Sequence, residues 1–255
     1  MIPMSCCVFS MKRWTDREEA IGLTMLTVGL AMLQGARHEH AEALRGAAAE
    51  LEVTVNIVEC RRASHVSPEL DAIILPGGES TTMRIASQHE SLLHAIFDWM
   101  ELHPHRPVLG TCAGAILLSS PGEGRQPFLS ATIERNAWGR QRQSFESAVE
   151  VLLDTPSGKD STAPEAQPDI FDHLPLEMQS QAAPVLDDGF PGVFIRAPRF
   201  VTNGLSCIPV AMLGEEVVGV LDGTKLGLTF HPELTIDRRF HRWLLHQAGQ
   251  SKEVK

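Results

Sequence analysis

Positive charge is in short supply in this 255-residue chain: 22 lysines and arginines face 32 aspartates and glutamates, for a formal net charge of -10. The basic residues are scattered rather than striped, so no field is available to hold a phosphate backbone, and nucleic acid is not expected as a partner. Long hydrophobic runs are missing too. Even "IGLTMLTVGLAML" is broken by glycines and threonines, short of the roughly 18 to 20 apolar residues a membrane helix needs, so no membrane association is expected. The five cysteines include no Cys-x-x-Cys pair, and an odd number with Cys6 and Cys7 adjacent makes a poor disulfide framework. A reducing compartment, the cytoplasm, is therefore expected. Residues 1–24 lack the apolar core of a secretory signal and carry three acidic residues, against a transit peptide. They read as a disordered extension before a single domain over 25–249, with 250–255 as a tail. No internal repeat is found.

What is present has the grammar of an α/β protein. "MLTVGLAML" reads as a strand, "QG" as a turn and "ARHEHAEALRGAAAELE" as a helix. "VTVNIVEC" and "ELDAIILPGG" continue as strands, followed by a helix through "HESLLHAIFDWMELH", and "RPVLGTCAGAILLSS" reads as a strand running into a helix. Alternation of this kind implies an open, mostly parallel, flavodoxin-like sheet with helices on both faces. After Pro121 come shorter strands, "LSATIER", "SAVEVLL", "GVFIRAP", "IPVAMLG", "EVVGVLD" and "KLGLTF", closed by the helix "DRRFHRWLLHQAG". Residues 153–190 are rich in Pro, Ser, Ala and acid and read as a surface insertion.

Ligands of parallel sheets sit where strands end and helices begin. Two glycine-rich strand ends, "LPGGES" and "LGTCAG", fall there. Cys112, flanked by Gly110 and Gly114, fits the sharp strand-to-helix turn of a nucleophile elbow, with the Ala113 amide aimed at a developing oxyanion. On its own this is equally the pattern of a buried structural thiol. A base tips the balance. "TFHPEL" places His231 at a strand end with Glu233 two residues on, so an extended backbone would point both to one face. Nucleophile, imidazole and orienting carboxylate complete the logic of covalent catalysis. The other ten histidines, His38, His40 and His103 among them, read as solvated helix or loop residues without a role.

These motifs, G-T-C-A-G and H-P-E in that order, resemble class I (triad-type) glutamine amidotransferases. "LQGARHEH", "LPGGESTTM", "ERNAWGRQRQSFE", "VFIRAP" and "FHPELTIDRRFH" narrow the resemblance to glutaminase subunits of pyridoxal 5'-phosphate synthase, over about 25–247. The resemblance implies Cys112 as nucleophile, His231 and Glu233 as its relay, and Gly78 and Ala113 as oxyanion donors. It implies that Gly78, Glu79, Ser80, Arg135, Ile195 and Arg196 bind L-glutamine, whose ammonia passes to a synthase subunit. No metal or cofactor is expected. The long insertion, Trp138 in place of a smaller aromatic, and the extension over 1–24 depart from compact members of that family. Two other readings fit the fold: a cysteine peptidase or chaperone-like protein, and a non-catalytic regulatory module.

Overall fold

A computed structural model of the chain describes residues 25–122, 124–135, 144–159, 189–203 and 205–253. The expectations for residues 1–24, for Trp138 and for most of the 153–190 insertion lie outside these. The first half alternates strand and helix: β1 (Met25–Ala31), α1 (Arg37–Glu50), β2 (Thr54–Cys60), β3 (Ala72–Leu75), α2 (Ser80–Glu90), α3 (Leu92–Leu102), β4 (Val108–Thr111) and α4 (Ala113–Ser119). The second half is strand-rich: β5 (Ile133–Glu134), β6 (Ser144–Val151), β7 (Phe190–Ile195), β8 (Arg199–Phe200), β9 (Ile208–Leu213), β10 (Glu216–Asp222), β11 (Lys225–Leu228), then α5 (Arg239–Glu253).

Nine strands form one sheet in the order β2-β1-β3-β4-β11-β10-β9-β6-β7. From β2 to β11 neighbours pair in parallel, and from β11 to β7 antiparallel. Because β1, β3, β4 and β11 are adjacent and parallel, the loops that follow them emerge side by side at one edge. The "AIIL" of β3 and "VLGT" of β4 are buried at every residue, as central parallel strands covered on both faces must be. On one face Leu44 and Ala47 of α1 and Phe240, Trp243 and Leu244 of α5 share a core with Leu26, Val28 and Ile74. On the other, Met83, Ile96, Phe97 and Leu117 of α2, α3 and α4 pack on Ile73, Leu75 and Val108.

Several expectations are corrected. The helix expected through 89–103 starts only at Leu92, and a separate helix, α2, precedes it: Ser91 adopts a left-handed conformation (φ 51°, ψ 28°), and the Ser87 hydroxyl accepts from Leu93 N at 2.7 Å in place of the interrupted backbone ladder. "LSATIER" contributes only the two-residue β5, paired with β8. Residues 250–253 are not tail but the last turn of α5, where Lys252 Nζ donates to Met25 O at 2.9 Å and pairs with Asp71 at 3.0 Å. The first residues of the expected insertion are tied to the body: Lys159 N donates to Glu50 O at 3.0 Å, and Pro156 O accepts from Arg242 Nε at 2.9 Å. Glu50, in turn, is paired with Arg238 and Arg242.

α4 can approach β3 and β4 only because Gly110 and Gly114 carry no side chain. A Cβ on Gly114 would collide with the Leu75 carbonyl oxygen, and one on Gly110 would stand 2.7 Å from Leu118 and 2.9 Å from the Gly114 carbonyl carbon. Gly114→Ala is therefore expected to lower stability by about 1–3 kcal/mol, the usual cost of overpacking. A lower denaturant midpoint at unchanged m-value is the expected result; an unchanged midpoint would show that the helix moves aside freely.

Candidate active site

Three adjacent loops build a cleft at the carboxyl edge of β3, β4 and β11. Cys112 joins β4 to α4 at φ 48° and ψ −105°, a left-handed conformation for a residue with a side chain, and therefore strained. Its amide N–H is committed to Leu228 O at 2.8 Å, which ties the turn to β11. The next amide, of Ala113, opens α4 and so has no intrahelical acceptor. The Cys112 Sγ lies in the cleft, 3.9 Å from Ile195 O.

His231 arrives from the far side of β4. It does not lie on an extended strand, as the sequence suggests, because β11 ends at Leu228 and Pro232 starts a 3-10 turn over Pro232–Leu234. The turn, not strand alternation, brings Glu233 beneath the imidazole: His231 Nδ1 is 2.7 Å from Glu233 Oε1. With Nδ1 so occupied, Nε2 is the nitrogen left for Cys112, which lines the same cleft. Phe230 fixes the loop from below, in ring contact with Phe190, Phe194 and Phe240, while His231 N donates to Val193 O at 2.9 Å.

Glu233 is 1% exposed and His231 6%. Burial disfavours both charges, and their mutual attraction prevails. His231 is raised to about 10 against burial by Glu233 and by Cys112, while burial's upward push on Glu233 is overcome by His40 and His231, leaving it at about 2. At neutral pH the pair is imidazolium and carboxylate.

The loop after β3 supplies the opposite wall. Gly78 has φ 134°, outside the reach of ordinary side chains, and Glu79 N donates to Gln34 Oε1 at 2.8 Å. The Glu79 carboxylate caps α2, accepting from Thr81 N at 3.0 Å and Thr82 N at 2.7 Å. The hydroxyl oxygen of Ser80 is buried without a hydrogen-bond partner among the described residues. Arg135 donates to Thr81 Oγ1 at 3.1 Å, and Arg196, at φ 43°, follows Ile195 on the third side.

Cys112, His231, Gly78, Glu79, Ser80, Arg135, Ile195 and Arg196 thus line one cleft of about 330 Å³, with Ala113 beside Cys112 and Glu233 behind His231. Among the described residues no group of three or more His, Cys, Asp or Glu is placed to hold a metal ion. Sequence reasoning gave no role to Gln34 and Gly35, although both stand in "LQGARHEH". It also dismissed His40 as solvated. His40 is fully buried, 3.3 Å from Glu233 and 3.0 Å from His241, itself fully buried. The signal was there: His40, Ala43, Leu44 and Ala47 recur at the spacing of a buried helix face.

Residues 30–156 and 177–250 match the SNO glutamine amidotransferase family. The pyridoxal 5'-phosphate synthase subunit PdxT of Thermococcus onnurineus is 38% identical over 231 residues, covering 88% of this chain and 100% of the relative. That of Pyrococcus horikoshii is 35% identical over 230 residues, with the same coverage. Among solved structures, a glutamine amidotransferase crystal structure superposes with a TM-score of 0.62 at 35% identity, over 87% of this chain and 98% of that one.

The Glu79 cap carries a pH signature. Hydrogen bonds from the amides of Thr81 and Thr82 lower its carboxyl from 4.5 to about 2. A depressed acid stabilises the fold above its unfolded value, and the contribution is lost as pH falls through the folded one. The gap in thermal midpoint between the unmodified chain and Glu79→Ala should be constant above about pH 4.5 and close towards pH 2. A gap that stays the same at low pH would show that charge plays no part in the cap.

Proposed function

Because the chain belongs to the SNO glutamine amidotransferase family, we propose that it hydrolyses L-glutamine to L-glutamate and ammonia and hands the ammonia to a pyridoxal 5'-phosphate synthase subunit. The observation that carries this reading is the convergence at one cleft of a strained cysteine, an imidazole lining the same cleft, and a buried carboxylate fixing that imidazole.

In this reading His231 holds the proton of Cys112, and the sulfur attacks the side-chain amide carbon of glutamine. The carbonyl oxygen becomes an oxyanion, received by the amides of Gly78 and Ala113; donors of this kind are each worth about 10²–10³ in rate. The C–N bond breaks as His231 gives its proton to the departing ammonia, leaving a thioester on Cys112. His231, now neutral, takes a proton from water, whose oxygen attacks the thioester. Collapse releases glutamate, and the proton returns the imidazolium to its starting state.

Recognition of the substrate's α-carboxylate and α-ammonium requires charged or hydrogen-bonding groups. Arg135 and Arg196 supply the cations, Glu79 the anion, and Ser80 a buried hydroxyl whose oxygen has no partner among the described residues. Ile195 shapes the wall next to Cys112. A cleft of about 330 Å³ suits a single amino acid. The described chain from residue 25 onward is read as one amidotransferase domain, and the cytoplasm as its location; the free thiols of Cys60, Cys112 and Cys207 support a reducing setting.

Ammonia release from glutamine, assayed with the synthase subunit present, is expected to fall to background in Cys112→Ala while circular dichroism stays unchanged. Glu233→Gln should be impaired less than Cys112→Ala, because an orienting group is lost rather than the nucleophile. Retention of near-normal activity by Cys112→Ala would refute the assignment.

A further inference from the structure

The chain of buried polar groups does not stop at Glu233. Its Oε1 faces His231, and its Oε2 has no hydrogen-bond partner among the described residues unless His40 provides one, with Nε2 3.3 Å away. On the other side of the His40 ring, Nδ1 lies 3.0 Å from His241 Nε2. Helix α1 supplies His40, α5 supplies His241, and the turn after β11 supplies Glu233, so three separate elements meet on this line.

We propose that His40 is a positioning residue of the glutaminase site, its Nε2–H holding the second carboxylate oxygen of Glu233 so that the first stays locked on His231. The inference rests on the function proposed above. Only one placement of protons gives every ring N–H on this line an acceptor. If His241 Nε2–H donates to His40 Nδ1, then His40 Nε2–H donates to Glu233 Oε2, and the one vacancy is the lone pair of His241 Nδ1. Reversing the line would leave Glu233 Oε2 without a donor and an N–H on His241 Nδ1 without an acceptor, both buried, which is the costlier error. Thr111 Oγ1, 3.3 Å from His40 Nε2, is a second acceptor for the same N–H.

Charge supports the same direction. The groups facing His40 are Glu39 on its own helix, Glu233 and His231 on the turn after β11, Thr111 at the end of β4, and His241 with Arg238 behind it on α5. Burial lowers His40, outweighing the opposite pull of Glu233, and burial with His40 and Arg238 nearby lowers His241 to about 3, so both rings are pushed towards the neutral form. A neutral N–H orients the carboxylate without cancelling the charge that His231 needs.

The test measures ammonia release from glutamine by the full chain with its synthase subunit, for the unmodified protein, His40→Leu and His40→Gln. Groups that orient a catalytic or metal-bound imidazole are typically worth about 10–100-fold, and a loss of that size in kcat with KM changed less than about twofold is expected for His40→Leu. Its low-pH limb should move to higher pH, because Glu233 has lost a donor that favours its ionised form. His40→Gln keeps an amide N–H at the same reach and should recover most of kcat. A uniform loss that leaves the limb in place and is not recovered by Gln would overturn the proposal, as would a His40→Leu enzyme of normal kcat. Should His40→Leu fail to fold, imidazole ¹⁵N shifts of the unmodified protein decide: His40 as a neutral Nε2–H tautomer is expected, and an Nδ1–H tautomer overturns it. An inactive unmodified enzyme would count against the proposed function, whereas the tautomer still reports on His40.

Discussion

The corner at Cys112 exists because two neighbouring positions have nothing on their Cα atoms. Gly110 at the strand end and Gly114 in the first turn of the helix let α4 settle on β3 and β4 at a distance that any Cβ would forbid. From that approach follows the left-handed backbone at Cys112, which turns the sulfur out of the sheet and into the cleft while the amide of Cys112 stays bonded to β11. Strain of this kind costs of order 1–3 kcal/mol and persists only where the surroundings over-determine it. Here the surroundings are two packed cores, one on each face of the sheet.

Around that corner the parallel pairing of β1, β3, β4 and β11 does the assembling. Each strand contributes the loop at its carboxyl end: Gln34 and Gly35 from β1, Gly78 and Glu79 from β3, Cys112 from β4, His231 and Glu233 from β11. The antiparallel extension has a different task. β7 anchors His231 through Val193 and the phenylalanines, and its end carries Ile195 and Arg196 to the cleft. The division explains why chemistry-bearing residues from all along the described chain converge on one edge.

Much of this was legible in the sequence, and for identifiable reasons. Apolar runs ending in glycine marked β3 and β4, and the short spacing of His231 and Glu233 marked a pair. What misled was local geometry. Pro232 begins a 3-10 turn, so Glu233 meets His231 by curling under it. Ser91 splits a stretch whose apolar pattern runs across the break, because a side-chain hydroxyl can replace one backbone acceptor without any change in hydrophobic period. His40 was passed over because a histidine among Arg, His and Glu looks solvated until the face it shares with Ala43, Leu44 and Ala47 is counted. A polar residue on an apolar face is the informative observation, since burial obliges it to find a partner.

The contact between Lys252 in the last turn of α5 and the carbonyl of Met25 has a practical side. Met25 opens β1, so it sits at the amino ends of the parallel strands, across the sheet from the cleft. The two ends of the described domain therefore meet on its back. A carrier protein or affinity handle joined directly to Met25 or Glu253 would start from that surface and leave the approach to Cys112 open. The same neighbourhood suits circular permutation, since a short linker from Glu253 to Met25 would close the domain and let a loop away from the cleft become the new beginning.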